Sequence, residues 1–212
     1  MATKTARDRI LEAALQAADR ASWESVRLHD IAAELHMSLN DVRVHFREKE
    51  DITDAWFDRA DAAMLQEAET PGLSSLPARE RLHRLIMTWM SSLAGYRRVT
   101  REMIRGKCEP GHIHYQYAGL LRVSRTVQWL REAAHRDTLL PWRAVEESGL
   151  TAIYLVIFNF WMRDDSEESA RTARLLDRLL RSAQDLARWI PGLTGRRRRA
   201  NAHQPPHGGG VS

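Results

Sequence analysis

Neither glycine nor proline occurs in the first 70 residues of this chain, and the first cluster of helix breakers is Pro71-Gly72-Leu73-Ser74-Ser75-Leu76-Pro77. So long a stretch without the residues that make tight strand-to-strand turns leaves little room for hairpins. Its apolar residues instead recur at three- and four-residue spacing. Ile10, Leu11, Ala14, Leu15 and Ala18 predict a first helix over about residues 6–21, and Leu28, Ile31, Ala32 and Leu35 a short second one. Ser38 with Asp41 three residues on has the form of a capping box and starts a third over about residues 38–45. A fourth, over about residues 48–69, carries Ile52, Ala55, Trp56, Ala60, Ala63 and Met64 on one side.

Past the breakers the same period continues. Leu82, Leu85, Ile86, Trp89, Met90 and Leu93 mark a fifth helix ending near Gly95, and residues 99–105 a short sixth. Residues 106–111, with two glycines and a proline, read as a turn. Leu120, Leu121, Val123, Val127 and Leu130 carry a seventh to about His135, and Pro141 suits the first turn of an eighth that runs to Met162. Asp164-Asp165-Ser166 caps the last helix, whose stripe is Leu176, Leu179, Leu180, Ala183, Leu186, Ala187 and Ile190, stopped by Pro191-Gly192. No stretch alternates with the period of a strand, and no glycine-rich loop joins a strand to a helix. The expected fold is all-α, about nine helices, with a headpiece over residues 1–47, a helical body over 48–194 and a disordered basic tail over 195–212.

The formal net charge is +4, and Arg196 to Arg199 alone supply four positive charges. Residues 1–60, the headpiece with the start of the fourth helix, hold nine Lys and Arg against twelve Asp and Glu, a formal charge of −3. Phosphate neutralisation is the main term in non-specific DNA binding, and this segment is poorly supplied for it. The tail arginines suit phosphates or anionic lipid, or serve simply as a solubilising end. A single cysteine, Cys108, allows no intrachain disulfide and no multi-cysteine zinc site, and the first residues lack an apolar leader. Residues 149–162 form the longest apolar run, shorter than the roughly 20 residues a bilayer requires. A cytoplasmic location is expected.

Two short helices flanked by longer ones have the proportions of a helix-turn-helix. The segment Asp30-Ile31-Ala32-Ala33-Glu34-Leu35-His36-Met37-Ser38, then Val42, His45-Phe46, Lys49-Glu50 and Ile52, resembles the N-terminal signature of tetracycline-repressor-family regulators over about residues 6–56. That resemblance implies a transcriptional regulator, in the first instance a repressor, that binds double-stranded operator DNA. Ser38, Arg43, His45 and Lys49 fall where the family touches phosphates; Leu39, Asn40 and Arg43 would face base edges; and Arg27 stands where the family has a capping hydroxyl. Asparagine suits adenine and arginine guanine. This chain also has His36 where the family has a turn glycine, and Arg43 where it has tyrosine. A non-glycine residue at positive φ costs about 1 kcal/mol, less for histidine than for a branched side chain.

The span from Trp142 through Gly149-Leu150-Thr151-Ala152-Ile153-Tyr154 to Trp161-Met162-Arg163-Asp164-Asp165-Ser166, with Thr172 and Leu175-Leu176-Asp177-Arg178, resembles a second group. These are the ubiquinone-biosynthesis accessory proteins of the same fold, which bind isoprenoid lipids. The rival that this implies is a lipid-binding accessory protein without DNA recognition. Seven tryptophans are many for this length, and those of the body fall beside several methionines, a combination that lines adaptable apolar pockets or simply fills a core. Trp89, Met90, Met103, Trp129, Tyr154, Phe158 and Trp161 are the expected pocket residues for an apolar small molecule or lipid. An eighth helix apolar almost all round must be covered on every side. A two-fold homodimer through the last two helices would cover it, with Ile157, Phe160, Leu176, Leu179, Leu180 and Ala183 at the interface.

Catalytic patterns are missing. No Ser-His-Asp or Cys-His arrangement has motif context, and Asp164-Asp165 sit where a helix start favours negative charge. His112 and His114, near Cys108 and Glu109, form the one cluster with metal-ligand residue types, and solvated loop residues explain them better than a weak zinc site does. Neither an enzyme nor a metal or cofactor protein is expected.

Overall fold

The computed structural model describes residues 4–107, 113–134 and 142–189. Among them are α1 (Ala6–Arg20), α2 (Leu28–Glu34), α3 (Leu39–His45), α4 (Lys49–Ala68), α5 (Ala78–Ser92), α6 (Arg97–Lys107), α7 (Ile113–Ala133), α8 (Trp142–Trp161) and α9 (Ala170–Trp189), with 3₁₀ turns at Leu73–Ser75, Ala94–Tyr96 and Glu167–Ser169. No strand occurs among the described residues, so the fold is all-α. The tail, the centre of the expected 106–111 turn, Pro141 and the group Cys108, Glu109 and His112 lie outside them.

Local chemistry sets the helix starts. The Thr5 hydroxyl accepts from the Asp8 N–H at 3.1 Å while the Asp8 carboxylate accepts from the Thr5 N–H at 3.2 Å, a reciprocal cap that opens α1. At α4 the Asp51 carboxylate accepts from the N–H groups of Arg47 and the N-cap Glu48 at 2.8 and 3.3 Å, which fixes the chain where it enters the helix. The last helix begins later than the acidic cap suggested. Residues 167–169 make a tight turn, with Glu168 and Ser169 at φ 48° and 57°, before α9 proper. The buried Asp164 carboxylate spans that turn, accepting from Thr172 N–H and Oγ1 at 2.8 and 2.6 Å and from Ser166 N–H and Oγ at 3.0 and 2.6 Å. Burial opposes its charge, but these four bonds outweigh burial and hold the carboxyl well below the usual range.

One apolar core runs from Ile10 in α1 to Leu180 in α9. Helix α4 joins its two ends, burying Ile52, Ala55, Trp56, Phe57, Ala60 and Met64 and packing on α1, α5 and α7. In the body, the Trp89 ring stacks on Phe57 at 5.9 Å and meets Tyr154 and Phe158 edge-on at 5.3 and 5.6 Å. Its indole N–H donates to the buried Asp61 carboxylate at 2.8 Å, which also accepts from the Thr126 hydroxyl at 3.0 Å.

Helix α6 fastens headpiece to body. Arg98 donates to the carbonyls of Ala18, Asp19 and Ala21 at 3.1, 2.6 and 3.3 Å, which are the last acceptors of α1. Glu102, one turn on, accepts from the Trp23 N–H at 2.7 Å. On another side of α6, Arg97 donates to the Ser169 hydroxyl at 2.7 Å and to the Asp164 carbonyl, and Arg101 to the Met162 carbonyl. The helix begins at Arg97, directly after the Ala94–Tyr96 turn and two residues before its first apolar signal.

Candidate nucleic-acid interface

The turn between α2 and α3 is a six-to-one, five-to-two C-cap. Met37 N–H donates to the Ala32 carbonyl at 2.9 Å and His36 N–H to the Ala33 carbonyl at 3.2 Å, with His36 at φ 54°. The left-handed residue swings the chain out of α2 and into α3 within a few residues. Ser38 then caps α3: its hydroxyl accepts from the Asp41 N–H at 3.1 Å and donates to the Asp41 carboxylate at 2.7 Å, and the carboxylate accepts from the Ser38 N–H at 2.9 Å. The hydrogen bonds with Ser38 lower the Asp41 pKa.

Burial decides which way α3 points. Val42 and Phe46 are buried beside Ile31 and Ala32 of α2, and α1 packs on both short helices. The opposite face is open. Leu39 is 54 % exposed and Val44 72 %, with Asn40 and Arg43 exposed between them, and the Arg43 guanidinium donates to Asn40 Oδ1 at 3.2 Å. His45 is exposed as well. Side chains at positions 39, 40 and 43 thus share one solvent-facing surface on a helix narrow enough for the major groove of B-DNA.

The other expected contacts lie differently. Lys49 is half-buried, its ammonium 4.7 Å from the Trp23 ring centre, donating to the Glu24 carbonyl at 3.2 Å and to the Trp23 carbonyl. Burial and the Arg27 charge push its pKa down. Arg27 donates to the carbonyls of Glu24 and Val26 at 2.6 and 3.2 Å. Both cations therefore hold the α1–α2 loop, and the Ser38 hydroxyl already donates its hydrogen bond to Asp41. Sequence reasoning passed over Val44, which is exposed and follows Asn40 by four residues, the spacing that puts it on the same side of α3. That spacing is the signal that would have found it.

Of the expected pocket group, Trp89, Met90, Met103, Tyr154, Phe158 and Trp161 are all buried, and Phe158 stacks on Trp161 at 6.0 Å. Trp129 departs from them: it is 47 % exposed on the outer side of α7, which buries Thr126, Val127, Leu130, Arg131 and Ala133 among its described residues. Among the described residues no group of three or more His, Cys, Asp or Glu is placed to hold a metal, and no helix is long and apolar enough to cross a membrane.

The expected dimer face needs correcting in part. Ile157, Leu176 and Leu180 are buried in the subunit's own core, where α9 packs between α5 and α8, so they are not available to a second copy. Phe160 and Ala183 are exposed and Leu179 half-buried. The outward side of α8 carries Val145, Gly149, Ala152, Leu155, Val156 and Phe160, a largely apolar bare arc that also holds Ser148 and Asn159; Leu186 of α9 is exposed as well.

No protein-family model matches the chain, and no curated protein matches it. Among solved structures, the TetR transcriptional regulator from Nitrosomonas europaea ATCC 19718 is 52 % identical, covering 87 % of this chain and 98 % of its own, with a TM-score of 0.76. The TetR family transcriptional regulator PfmR from Thermus thermophilus shares the fold at 18 % identity, a TM-score of 0.51, and coverage of 82 % of this chain and 98 % of its own. A TetR-like transcriptional regulator from Rhodococcus sp. RHA1 shares it at 17 % identity, a TM-score of 0.50, and coverage of 87 % and 99 %.

Proposed function

From the premise that the chain belongs to the TetR family of transcriptional regulators, and is a DNA-binding regulator, we propose a repressor that grips operator DNA with α3 and lets go when an apolar small molecule or lipid enters its body. The carrying observation is the division of α3: Val42 and Phe46 anchor one side in the core, and Leu39, Asn40 and Arg43 stand clear on the other. Asn40 is suited to adenine and Arg43 to guanine. Phosphate contacts fall to Arg43 and His45 first, because Ser38 and Lys49 are engaged within the headpiece.

The effector site in this reading is the aromatic cluster of Trp89, Tyr154, Phe158 and Trp161. These rings pack on one another, so a ligand must part them, and Phe57 of α4 lies in the same cluster. Displacing Phe57 shifts α4, and with it the headpiece. A second copy covers the bare α8 arc, and the two-fold axis sets two α3 helices about one DNA turn, ~34 Å, apart. Ligand and operator then oppose each other with equal coupling energy.

The rival, a lipid-binding accessory protein that has lost operator recognition, draws on the −3 charge of residues 1–60 and the occupied donors of Ser38 and Lys49. Fluorescence anisotropy with duplexes from the gene's own upstream region separates the two. The regulator reading expects saturable binding that weakens steeply with salt and drops at least tenfold in Arg43→Ala. Arg43→Ala binding as tightly as the parent contradicts it.

A further inference from the structure

The α3 face carries more hydrocarbon than charge. Val44 is the most exposed large apolar side chain described, at 72 %, and Leu39 follows at 54 % among those of the headpiece. Leu39, Asn40, Arg43 and Val44 occupy one side of a helix whose other side is held by Val42. Val44 caps nothing and packs on nothing in the subunit core, and a β-branched residue is a poor choice for an exposed helix position. Residues 1–60 meanwhile carry a formal charge of −3, and two of their cations, Lys49 and Arg27, are committed to loop carbonyls. A reader weakly served by phosphate attraction must draw more of its affinity from base edges.

Only one major-groove group is apolar: the C5-methyl of thymine. We infer that Val44, with Leu39 at the other end of the same face, reads thymine methyl groups in the operator and is a specificity-determining residue of this chain. This rests on the reading of α3 as the DNA-contacting helix. Asn40 lies between the two apolar residues, and a T·A pair shows a methyl and the adenine donor and acceptor on one groove edge. The face thus suits a half-site in which T·A pairs sit beside a guanine taken by Arg43.

The test uses the full chain and needs no prior operator. A random duplex library is enriched on the protein, and the selected site is then remade with uracil for thymine, one position at a time, which deletes the methyl and leaves every hydrogen-bonding group in place. One or more such replacements in each half-site should weaken binding about fourfold, the loss of one buried methyl. Val44→Ala should weaken binding to the thymine site by a similar factor, and should make the uracil replacement at its own position nearly silent. Because uracil substitution leaves the protein untouched, and Val44 is exposed, misfolding does not confuse the readout. If the library enriches but uracil costs nothing anywhere, or Val44→Ala stays as sensitive to uracil as the parent, the inference is overturned while the DNA-binding reading stands. If no duplex is enriched at all, that reading fails, and the inference with it.

Discussion

Replacing His36 by glycine tests whether the sharp turn between α2 and α3 is held under backbone strain. His36 sits at φ 54° with its N–H on the Ala33 carbonyl, and its neighbour Met37 reaches the Ala32 carbonyl, so the left-handed residue is fixed by hydrogen bonds on both sides of it. An L-residue there costs about 1–2 kcal/mol relative to a right-handed position. Glycine removes that cost, but loses about 0.5–1 kcal/mol through its greater freedom in the unfolded chain. The balance lies between about 0 and 1.5 kcal/mol, centred on a gain of about 0.5–1 kcal/mol, because the histidine side chain is exposed and little packing is lost. In a chain of this length, about 1 kcal/mol moves a melting midpoint by roughly 2–4 °C, so His36→Gly should melt about 1–4 °C higher at matched protein concentration. His36→Val puts a β-branched residue into the same conformation and should melt lower than the parent. Thermal melts followed by circular dichroism at one protein concentration read both. A glycine variant less stable than the parent, or glycine and valine shifting the same way, would refute the strain argument.

Three further outcomes follow from buried or bare groups. Asp61→Ala strips the acceptor from the Trp89 indole and the Thr126 hydroxyl, and should cost about 2–4 kcal/mol by urea denaturation, with Asp61→Asn recovering part of it. Asp164 titrates below its ordinary value of 3.8 in the folded chain, so its contribution is complete above that pH and is lost as pH falls through the lower folded value. Asp164→Asn should therefore cost about 2 kcal/mol at pH 7, and the gap to the parent should close on acidification below pH 3.8, as read by urea midpoints across pH. Phe160→Glu places a charge on the bare apolar arc of α8 and should turn a dimer into a monomer in sedimentation velocity while the far-ultraviolet spectrum stays helical.

Features set by neighbours in sequence were legible. The Ser38 and Asp41 cap is a three-residue pattern, and the strained His36 turn follows from a histidine standing where the resembled family has glycine. Apolar periodicity placed α1, α4 and α5 within a few residues, because each shows one buried face. It failed on α8: a helix apolar all round offers no contrast, and only the packing of α5, α7 and α9 separates buried Ile157 from exposed Phe160. Trp129 misled for the same reason, since its side of α7 is decided by tertiary contacts. Lys49 could not be read locally either. Its partners, the carbonyls of Trp23 and Glu24, lie 26 and 25 residues away. The start of α6 was hidden because Arg97 is polar, and its role is to meet Ser169 and the Asp164 carbonyl far along the chain.

Hydroxyl-radical footprinting of the full chain on a duplex it selects tests the central claim most directly. Two α3 helices presented by a two-fold dimer should protect two short patches centred about one turn, ~34 Å, apart on the same face of the DNA, and Arg43→Ala should erase both together. A single patch, protection with no regular spacing, or a footprint that survives Arg43→Ala contradicts the claim that the exposed side of α3 enters the major groove.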